Sequence, residues 1–297
     1  MKSNFYHLFL IFLTVFVVTA CATTKQPEVS KVITIETTRF VDVEKTVSQF
    51  NTKYGSENVL IVLDIDNTIL TSGIDLGGDI WYQWQRGNLS IKPKENQKVN
   101  CLFEDSIGLL YELGPMNLTE DNLPSVISAW QSQGNNVMAL TSRAPKYRAA
   151  TERELNNKNI NLDISPLSSK DVRSPVYREI KGRELSYMKG VMMTSGMNKG
   201  EMLEYILDKT KQKFKAIVFV DDSQKNIDNL YEKYANHQSL DMRIFHYINV
   251  EEKRKEVYGS VINQEQVNKM ESDWNELNQV LNKIFPARNL ETGCLDD

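Results

Sequence analysis

The chain has 297 residues, of which 41% are hydrophobic and 25% are charged, and its formal net charge is −4. This composition is typical of a globular protein with a sizeable core, and it excludes a disordered chain or a coiled coil. The weak negative charge provides no basic surface for nucleic acid, so we expect no nucleic-acid partner.

The first 20 residues predict a secretory signal peptide, because Lys2 is followed by an apolar stretch too short to span a bilayer comfortably. Residues 18–21 (VTAC) resemble the lipobox of bacterial lipoproteins, in which the cysteine becomes the acylated first residue. We therefore expect a lipid anchor at Cys21, with an ordinary cleaved signal as the alternative. Residues 21–34 would be the lipidated N-terminus and a tether, on a protein of the bacterial cell envelope that faces the periplasm or the cell surface.

After the tether, short apolar runs alternate with amphipathic segments. Phe40, Val43, Val47 and Phe50 recur at helical spacing and predict a first helix. Strands are predicted at 59–63, 137–140, 216–220 and 243–248, and helices are predicted after Asn122, Asn198 and Ser223 and through 267–284. This alternation predicts an α/β fold, a Rossmann-like three-layer α/β/α parallel sheet, over residues 35–286, with 287–297 as a C-terminal tail.

About seventy residues separate the first predicted strand from the next, which is far longer than most connections in such sheets. We therefore predict an inserted cap at about 72–114. Its aromatic residues Trp81, Tyr82 and Trp84 fit either the small core of the insertion or a surface that stacks on a nucleobase. Cys101 and Cys294 fit either a disulfide or two free thiols, and the sequence does not decide between them.

Chemically active side chains follow three of the predicted strands. The motif DIDNT places Asp64 and Asp66 directly after the strand at 59–63, where open α/β sheets bind their ligands. The strand that ends at residue 140 is followed by Thr141, Ser142 and Arg143, and the strand that ends at residue 220 is followed by Asp221 and Asp222. Between these two strands, Lys199 opens a helix, where a cation is unfavourable for the helix dipole.

In order and spacing, these features resemble the four motifs of the haloacid dehalogenase superfamily of phosphohydrolases, over roughly residues 58–250. The secreted location and the insertion after the first motif look most like periplasmic acid phosphatases, or like an uncharacterised bacterial lipoprotein family related to them. The resemblance implies a magnesium-dependent phosphatase that hydrolyses a phosphorylated small molecule.

The resemblance assigns the chemistry to the first motif. Asp64 would attack phosphorus and form an aspartyl-phosphate, which divides one difficult displacement into two steps. Asp66 would protonate the leaving alkoxide and then activate water. An acid at Asp66 fits transfer to water or to another alcohol, so a phosphotransferase is the alternative reaction. The non-enzymatic alternative is a binding lipoprotein that has kept the fold and lost the activity.

Mg²⁺ would be held by oxygen ligands, since two carboxylates otherwise repel an incoming phosphate. By the resemblance, these ligands are Asp64, the main-chain carbonyl of Asp66 and Asp222, with Asp221 more distant. Thr141 would donate its hydroxyl to the phosphoryl group, and Lys199 would neutralise the phosphate and orient Asp64. 

Several assignments at this site have alternatives. Lys189 is the alternative to Lys199 as the lysine that neutralises the phosphate and orients Asp64. Arg143, beside Ser142, fits either a residue on the rim of the site or a contact with substrate, and Asn226 fits either support for the acidic loop or a surface position. The three histidines of the chain lie outside the motifs, which disfavours a histidine phosphatase or a zinc hydrolase. A calcium loop is disfavoured because Ile69 stands where such a loop needs glycine.

Overall fold

An eight-stranded sheet with helices on both faces forms the centre of the computed structural model, which describes residues 32–102, 106–169, 172–237 and 239–286. The strands are β1 (Val32–Thr37), β2 (Val59–Leu63), β3 (Leu70–Ser72), β4 (Met116–Leu118), β5 (Asn136–Thr141), β6 (Tyr177–Lys181), β7 (Arg183–Met188), β8 (Val191–Met193), β9 (Ala216–Asp221) and β10 (Asp241–Tyr247). The helices are α1 (Phe40–Tyr54), α2 (Asp79–Gln85), α3 (Ile107–Leu113), α4 (Leu123–Ser132), α5 (Arg148–Asn157), α6 (Lys199–Thr210), α7 (Gln224–Tyr234), α8 (Asn249–Tyr258) and α9 (Gln264–Ile284).

The strand order is β1-β10-β9-β2-β5-β8-β7-β6. The strands from β1 to β8 in this order run parallel, and the hairpin of β6 and β7 joins the sheet antiparallel beside β8. The predicted α/β fold with a mostly parallel sheet is thus confirmed. The hairpin was not predicted, since its short and partly exposed strands carry no long apolar run.

The two faces of the sheet pack into two separate apolar clusters because successive side chains of a strand point to opposite faces. In β2, Val59, Ile61 and Leu63 belong to one cluster, which also contains α1, α4 and α9. Leu60 and Val62 belong to the other, which contains α6 and α7. All five residues of β2 are fully buried, which explains why this strand is an unbroken apolar run.

The boundary predicted between tether and domain is wrong by three residues. Strand β1 starts at Val32 and pairs in parallel with β10, so residues 32–34 belong to the sheet rather than to the tether. The segment VITIET is an edge strand with only partial burial, and its weak apolar signal explains the error. The predicted signal peptide, Cys21 and Cys294 lie outside the described residues, whereas Cys101 is buried and disulfide-bonded. Within the described ranges, no helix combines the length and apolar character needed to cross a membrane.

The segment 73–115 leaves and rejoins the fold through a small antiparallel sheet of β3 and β4, in which Ser72 pairs with Met116. It contains α2 and α3 and lies close to the predicted insertion at 72–114. We call residues 73–115 the insertion. Trp81 and Trp84 are buried in the same apolar cluster as α1, α4 and α9 rather than in a separate small core, whereas Tyr82 is half-buried and lines the cavity described below.

Helices α8 and α9 hold the insertion from outside. Arg254 of α8 makes two hydrogen bonds to the carboxylate of Asp75, at 2.7 and 3.2 Å, and Gln266 of α9 donates a third at 3.2 Å. Trp274 of α9 packs against Trp81 with the ring centroids 5.5 Å apart. The insertion is therefore attached to the C-terminal helices as well as to the sheet.

Candidate functional site

The carboxyl ends of β9, β2 and β5 lie side by side, because these strands are neighbours in the sheet. Asp64 follows β2, Asp221 is the last residue of β9, and Thr141 is the last residue of β5. The main-chain N–H of Asp64 donates to the carbonyl of Val220 at 2.9 Å, which ties the first motif to the last. Residues far apart in the sequence thus meet at one edge of the sheet, where such folds bind ligands.

Lys199 lies between two of these carboxylates and is fully buried. Its Nζ is 2.7 Å from Oδ1 of Asp64 and 2.6 Å from Oδ2 of Asp221. Burial lowers the pKa of Lys199, but the two carboxylates raise it above its ordinary value. Lys189, the rival in the sequence, is exposed and pairs with Glu152 at 2.8 Å. The geometry therefore favours Lys199.

A close helix contact positions Lys199. The side chain of Asn198 accepts a hydrogen bond from the N–H of Glu201 and caps α6, so the helix begins at the lysine. A Cβ on the next residue, Gly200, would lie 2.5 Å from the carbonyl oxygen of Asn229 in α7. Glycine lets α6 approach α7 this closely, which brings Lys199 over the end of β9.

Protein donors already engage both oxygens of Asp221. Oδ1 accepts from the main-chain N–H of Ser223 and from the side-chain amide of Asn226, both at 2.9 Å, and Oδ2 accepts from Lys199. A carboxylate with this many donors is better suited to orienting its neighbours than to binding an ion directly. The contact with Asn226 agrees with the interpretation that this residue supports the acidic loop.

The acidic side chains fit a hard divalent cation. Carboxylate oxygens of Asp64, Asp221 and Asp222 all lie within 4.8 Å of one another. Oδ1 of Asp64 is buried and has no hydrogen bond among the described residues, since Lys199 approaches it outside hydrogen-bonding geometry. The ammonium group of Lys199, 2.7 Å from this oxygen, offsets part of its charge, and a further cation beside the three acids would offset more. Oxygen ligands of this kind suit Mg²⁺.

Burial raises the pKa of two of these acids, Asp64 and Asp222. It raises the pKa of Asp64 to about 7; Lys199 opposes this shift, whereas Asp221 and Asp66 add to it. Burial, and then the charge of Asp79, also raises the pKa of Asp222 well above its ordinary range. In the absence of a cation, Asp64 is therefore partly protonated near neutral pH, and a bound cation would displace this proton.

The side chain of Asp66 faces Arg143 rather than the group of three carboxylates. The guanidinium donates to both oxygens of Asp66, at 2.8 and 2.7 Å, and also to Oγ1 of Thr151. Arg143 is only 3% exposed and lies 4.3 Å from the centre of the Tyr111 ring. Arg143 is thus a buried partner of Asp66, and the interpretation of it as a rim residue is wrong.

The remaining residues of the second motif also border the site. Thr141 is buried, and its hydroxyl oxygen accepts the main-chain N–H of Arg143 at 3.2 Å. Ser142 is exposed and, like Thr141, lines the cavity. Both residues are therefore placed where a phosphoryl group in the cavity could reach them.

Sequence reasoning missed Asp79, which the first turn of α2 carries into the same cavity. Its carboxylate accepts from Asn67 at 2.9 Å and from Gln83 at 3.1 Å. Burial, together with the charge of Asp66, raises its pKa to about 6. The acid in GGDIW is an ordinary signal for a helix start, and nothing in the sequence shows that the insertion brings it to the site.

One histidine also contacts the site, although the sequence suggested that none would. A ring nitrogen of His246 lies 3.0 Å from the main-chain oxygen of Asp222. His246 belongs to β10, where it is in register with Asp221 of β9, and sequence order alone does not show this pairing. The contact is to the main chain, so it supports the acidic loop rather than a metal.

A cavity of about 710 Å³ between the sheet and the insertion is lined by most of these groups, although Lys199, Asp221 and His246 lie behind its wall. Asp64, Asp66, Asp79 and Asp222 are the acids that line it, and each of them is buried or half-buried. The insertion contributes Tyr82, Tyr111 and several smaller residues. A cavity of this size can hold a molecule much larger than phosphate.

Comparison with known proteins shows the family. The family described as "Protein of unknown function (DUF2608)" matches residues 36–286, which include every site residue described above. The chain belongs to this family. The match begins within β1 and ends just after α9, so the family covers the insertion, both C-terminal helices and the sheet except for most of β1.

Relatives of this family member occur among chlamydiae. A Chlamydia pneumoniae protein, "Putative outer membrane protein//CPj1034/CpB1074", is 23% identical over 185 residues, which are 61% of this chain and 68% of the relative. A "Putative outer membrane protein" of Chlamydia trachomatis serovar D is 21% identical over 175 residues, or 59% of this chain and 63% of the relative. The Chlamydia muridarum protein of the same name matches with the same identity and coverage.

Proposed function

We propose that the chain is a Mg²⁺-dependent phosphomonoester hydrolase of the haloacid dehalogenase type that acts through an aspartyl-phosphate. The observation that carries the proposal is the buried Lys199 between Asp64 and Asp221, beside Asp222 and the pair of Asp66 with Arg143. A lysine between two buried acids costs much desolvation, and such arrangements are concentrated at functional sites. The four motifs that suggest this superfamily also supply all of these residues.

The first step is attack of a carboxylate oxygen of Asp64 on phosphorus. The bond from phosphorus to the alcohol oxygen breaks, and the departing oxygen takes a proton from Asp66. In the second step, Asp66 takes a proton from water, the water oxygen bonds to phosphorus, and Asp64 leaves as a carboxylate with release of inorganic phosphate. Asp64 and Asp66 thus return to their starting states.

Lys199 and Thr141 prepare the site for this chemistry. The charge of Lys199 favours the ionised form of Asp64, which is the form that attacks, and would attract the negatively charged phosphoryl group. Thr141 can donate its hydroxyl proton to a phosphoryl oxygen. Mg²⁺, held by Asp64, Asp222 and the main-chain carbonyl of Asp66, would neutralise the phosphoryl oxygens.

Arg143 has to release Asp66 during the reaction. Both oxygens of Asp66 accept from this guanidinium, so Asp66 can carry a proton only when at least one of these bonds opens. An incoming phosphate is a competing anion for arginine, and guanidinium binds phosphate in the same two-point manner. We propose that phosphate draws Arg143 away and frees Asp66 to act as the acid.

The test is hydrolysis of an aryl phosphate by a soluble chain that begins after Cys21. We expect turnover with Mg²⁺, loss of activity with a chelator, and no turnover for Asp64→Asn. Asp121→Asn is the matched control, because Asp121 is an exposed acid outside the cavity. Full activity of Asp64→Asn would contradict the proposed nucleophile.

The same assay separates the alternatives. Added glycerol would capture the phosphoryl group if the enzyme is a phosphotransferase, and a phosphorylated alcohol would then accumulate in place of inorganic phosphate. Absence of Mg²⁺ binding by calorimetry, together with absence of turnover, would favour a binding lipoprotein.

We further propose that the protein is located in the cell envelope and anchored there by lipid at Cys21. The names of the three chlamydial relatives agree with a cell-envelope location. The lipobox-like sequence VTAC supports the anchor. Cys21→Ser should release the protein from the membrane fraction, and unchanged fractionation would contradict lipid attachment.

A further inference from the structure

The cavity has more room than the proposed chemistry uses. Its volume is about 710 Å³, and cavities of 300 to 1,000 Å³ ordinarily enclose whole drug-sized molecules. The proposed reacting acids are a small part of its lining, and carboxylate oxygens of Asp64 and Asp222 lie within 4.8 Å of each other. The part of the substrate that is not transferred is therefore expected to be sizeable and to contact the rest of the lining.

Charged residues are sorted by depth in this cavity. The acids that line it are buried or half-buried: Asp64, Asp66, Asp79 and Asp222. The exposed charged residues that line it are all basic: Arg86, Lys146, Arg183 and Lys225. We call these four residues the basic rim. Acids outnumber bases in the chain, 39 to 35, so the overall composition does not account for an entirely basic rim.

The basic rim is assembled from separate parts of the fold. Arg86 follows α2 in the insertion, Lys146 follows β5, Arg183 begins β7, and Lys225 lies in the first turn of α7. Since these segments are distant in sequence, a single charged stretch of chain does not explain the arrangement. Folding brings four independent cations to the same opening.

Among the described residues, three of these cations have no acidic partner. Arg183 donates only to the main-chain oxygen of Ser195, at 3.0 Å, while Arg86 and Lys225 make no side-chain contact with an acid in those residues. Lys225 also stands in the first turn of an 11-residue helix, where a cation opposes the helix dipole. Local structure therefore does not explain the charge at this position.

We infer that the basic rim binds a second anionic group of the substrate. The substrate class is thus a phosphomonoester whose non-transferred part carries a further phosphate or carboxylate. This inference rests on the proposed phosphatase function, because it assumes that the first phosphate occupies the acidic end. The opposite charges of the two ends would fix the direction in which such a substrate enters.

The alternative explanation is that the rim attracts any phosphate from solution. Clefts lined by charge of one sign raise the local concentration of an oppositely charged ligand. Attraction of this kind would help a simple aryl phosphate as well as a substrate with a second anionic group. Binding of the second group would instead help only the substrate that carries it.

The experiment compares matched substrates with the Mg²⁺-loaded wild-type chain and its variants. Glycerol phosphate is paired with 3-phosphoglycerate, which adds a carboxylate, and fructose 6-phosphate is paired with fructose 1,6-bisphosphate, which adds a phosphate. An aryl phosphate serves as the reference substrate. The variants are Arg183→Gln and Lys225→Gln, with Lys213→Gln as the control, since Lys213 is exposed and precedes β9 at the opposite end of the sheet.

We expect the wild type to prefer the doubly anionic member of at least one pair, and the pair identifies the second group as carboxylate or phosphate. Each rim variant should reduce that preference by about threefold, as expected for one exposed ion pair, through KM rather than kcat. The loss of kcat/KM for the aryl phosphate should be smaller than the loss for the doubly anionic substrate, and Lys213→Gln should leave the kcat/KM of both substrates unchanged.

Two results would overturn the inference. One is an equal loss of kcat/KM for aryl phosphate and for doubly anionic substrates, which indicates general attraction. The other is turnover of aryl phosphate with no preference within either pair. Absence of turnover with every substrate contradicts the proposed function instead, and calorimetric binding of fructose 1,6-bisphosphate, with its loss in the rim variants, then decides whether the rim binds anions.

Discussion

The raised pKa of Asp64 predicts that the metal-free protein loses stability as the pH rises. The pKa is about 7 in the folded protein and 3.8 as the ordinary value. Between these values the folded state holds a proton that the unfolded state has released, so the free energy of unfolding falls with increasing pH. One such proton is worth about 1.4 kcal/mol per pH unit well below the folded pKa, and about 2 kcal/mol in total from pH 5 to pH 7, because half of it is already released at pH 7.

Magnesium should reverse this loss. The cation binds the ionised carboxylate, so its binding releases the proton and stabilises the folded state more at pH 7 than at pH 5. Asp79 also lowers the free energy of unfolding as the pH rises, but it does so at lower pH, because its pKa is about 6. The interval from pH 6 to pH 7 therefore separates Asp64 from Asp79.

The assay is urea unfolding at a series of pH values from 5 to 8, with Mg²⁺ and with chelator. In Asp64→Asn without metal, the slope between pH 6 and pH 7 should be smaller by about 1 kcal/mol per pH unit, since an amide does not titrate. Asp121→Asn should keep the wild-type slope. Equal slopes for wild type and Asp64→Asn would refute the assignment of a raised pKa to Asp64, and with it the expected proton release.

Three further changes test the surroundings of the site. Lys199→Met should lower the metal-free stability by about 3–5 kcal/mol in urea unfolding, because it leaves two buried carboxylates without their cation. The control variant Lys189→Met should change the stability by about 1 kcal/mol or less, since Lys189 is exposed. Equal effects of the two variants would contradict the difference in burial between these lysines. Gly200→Ala should destabilise the folded protein by about 1–3 kcal/mol despite the better helix propensity of alanine, since the added Cβ meets the Asn229 carbonyl. A more stable variant would show that α6 and α7 can separate without cost. Arg254→Gln should cost about 1–2 kcal/mol and increase proteolysis within the insertion, because Asp75 loses its two-point partner, and an unchanged digestion pattern would argue against this attachment.

Much of the sheet was predictable from the sequence because its central strands are buried on both faces. Such strands are continuous apolar runs, and β2, β5 and β9 were each predicted to within about a residue. Their carboxyl ends carry the acids and the threonine of the site, so those residues could be assigned together. The edge strand β1 and the hairpin of β6 and β7 were missed, since partly exposed strands lack this signal.

The contacts that complete the site depend on tertiary structure and leave no sequence signal. Arg143 was recognised as a candidate, but its pairing with Asp66 depends on two loops that are 77 residues apart. Asp79 reaches the cavity only because the insertion folds back over the sheet. The preference for Lys199 over Lys189 was predictable, because Lys199 begins the helix that precedes β9.

The attachment of the insertion to α8 and α9 sets a lower limit on how far the protein can be shortened. Every residue proposed for the chemistry lies before residue 223, so a chain that ends after β10 would contain all of them. That shortened chain would lack Arg254, Gln266 and Trp274, and the wall of the cavity formed by the insertion would lose its outer support. Residues 248–286 thus support one wall of the cavity without lining it.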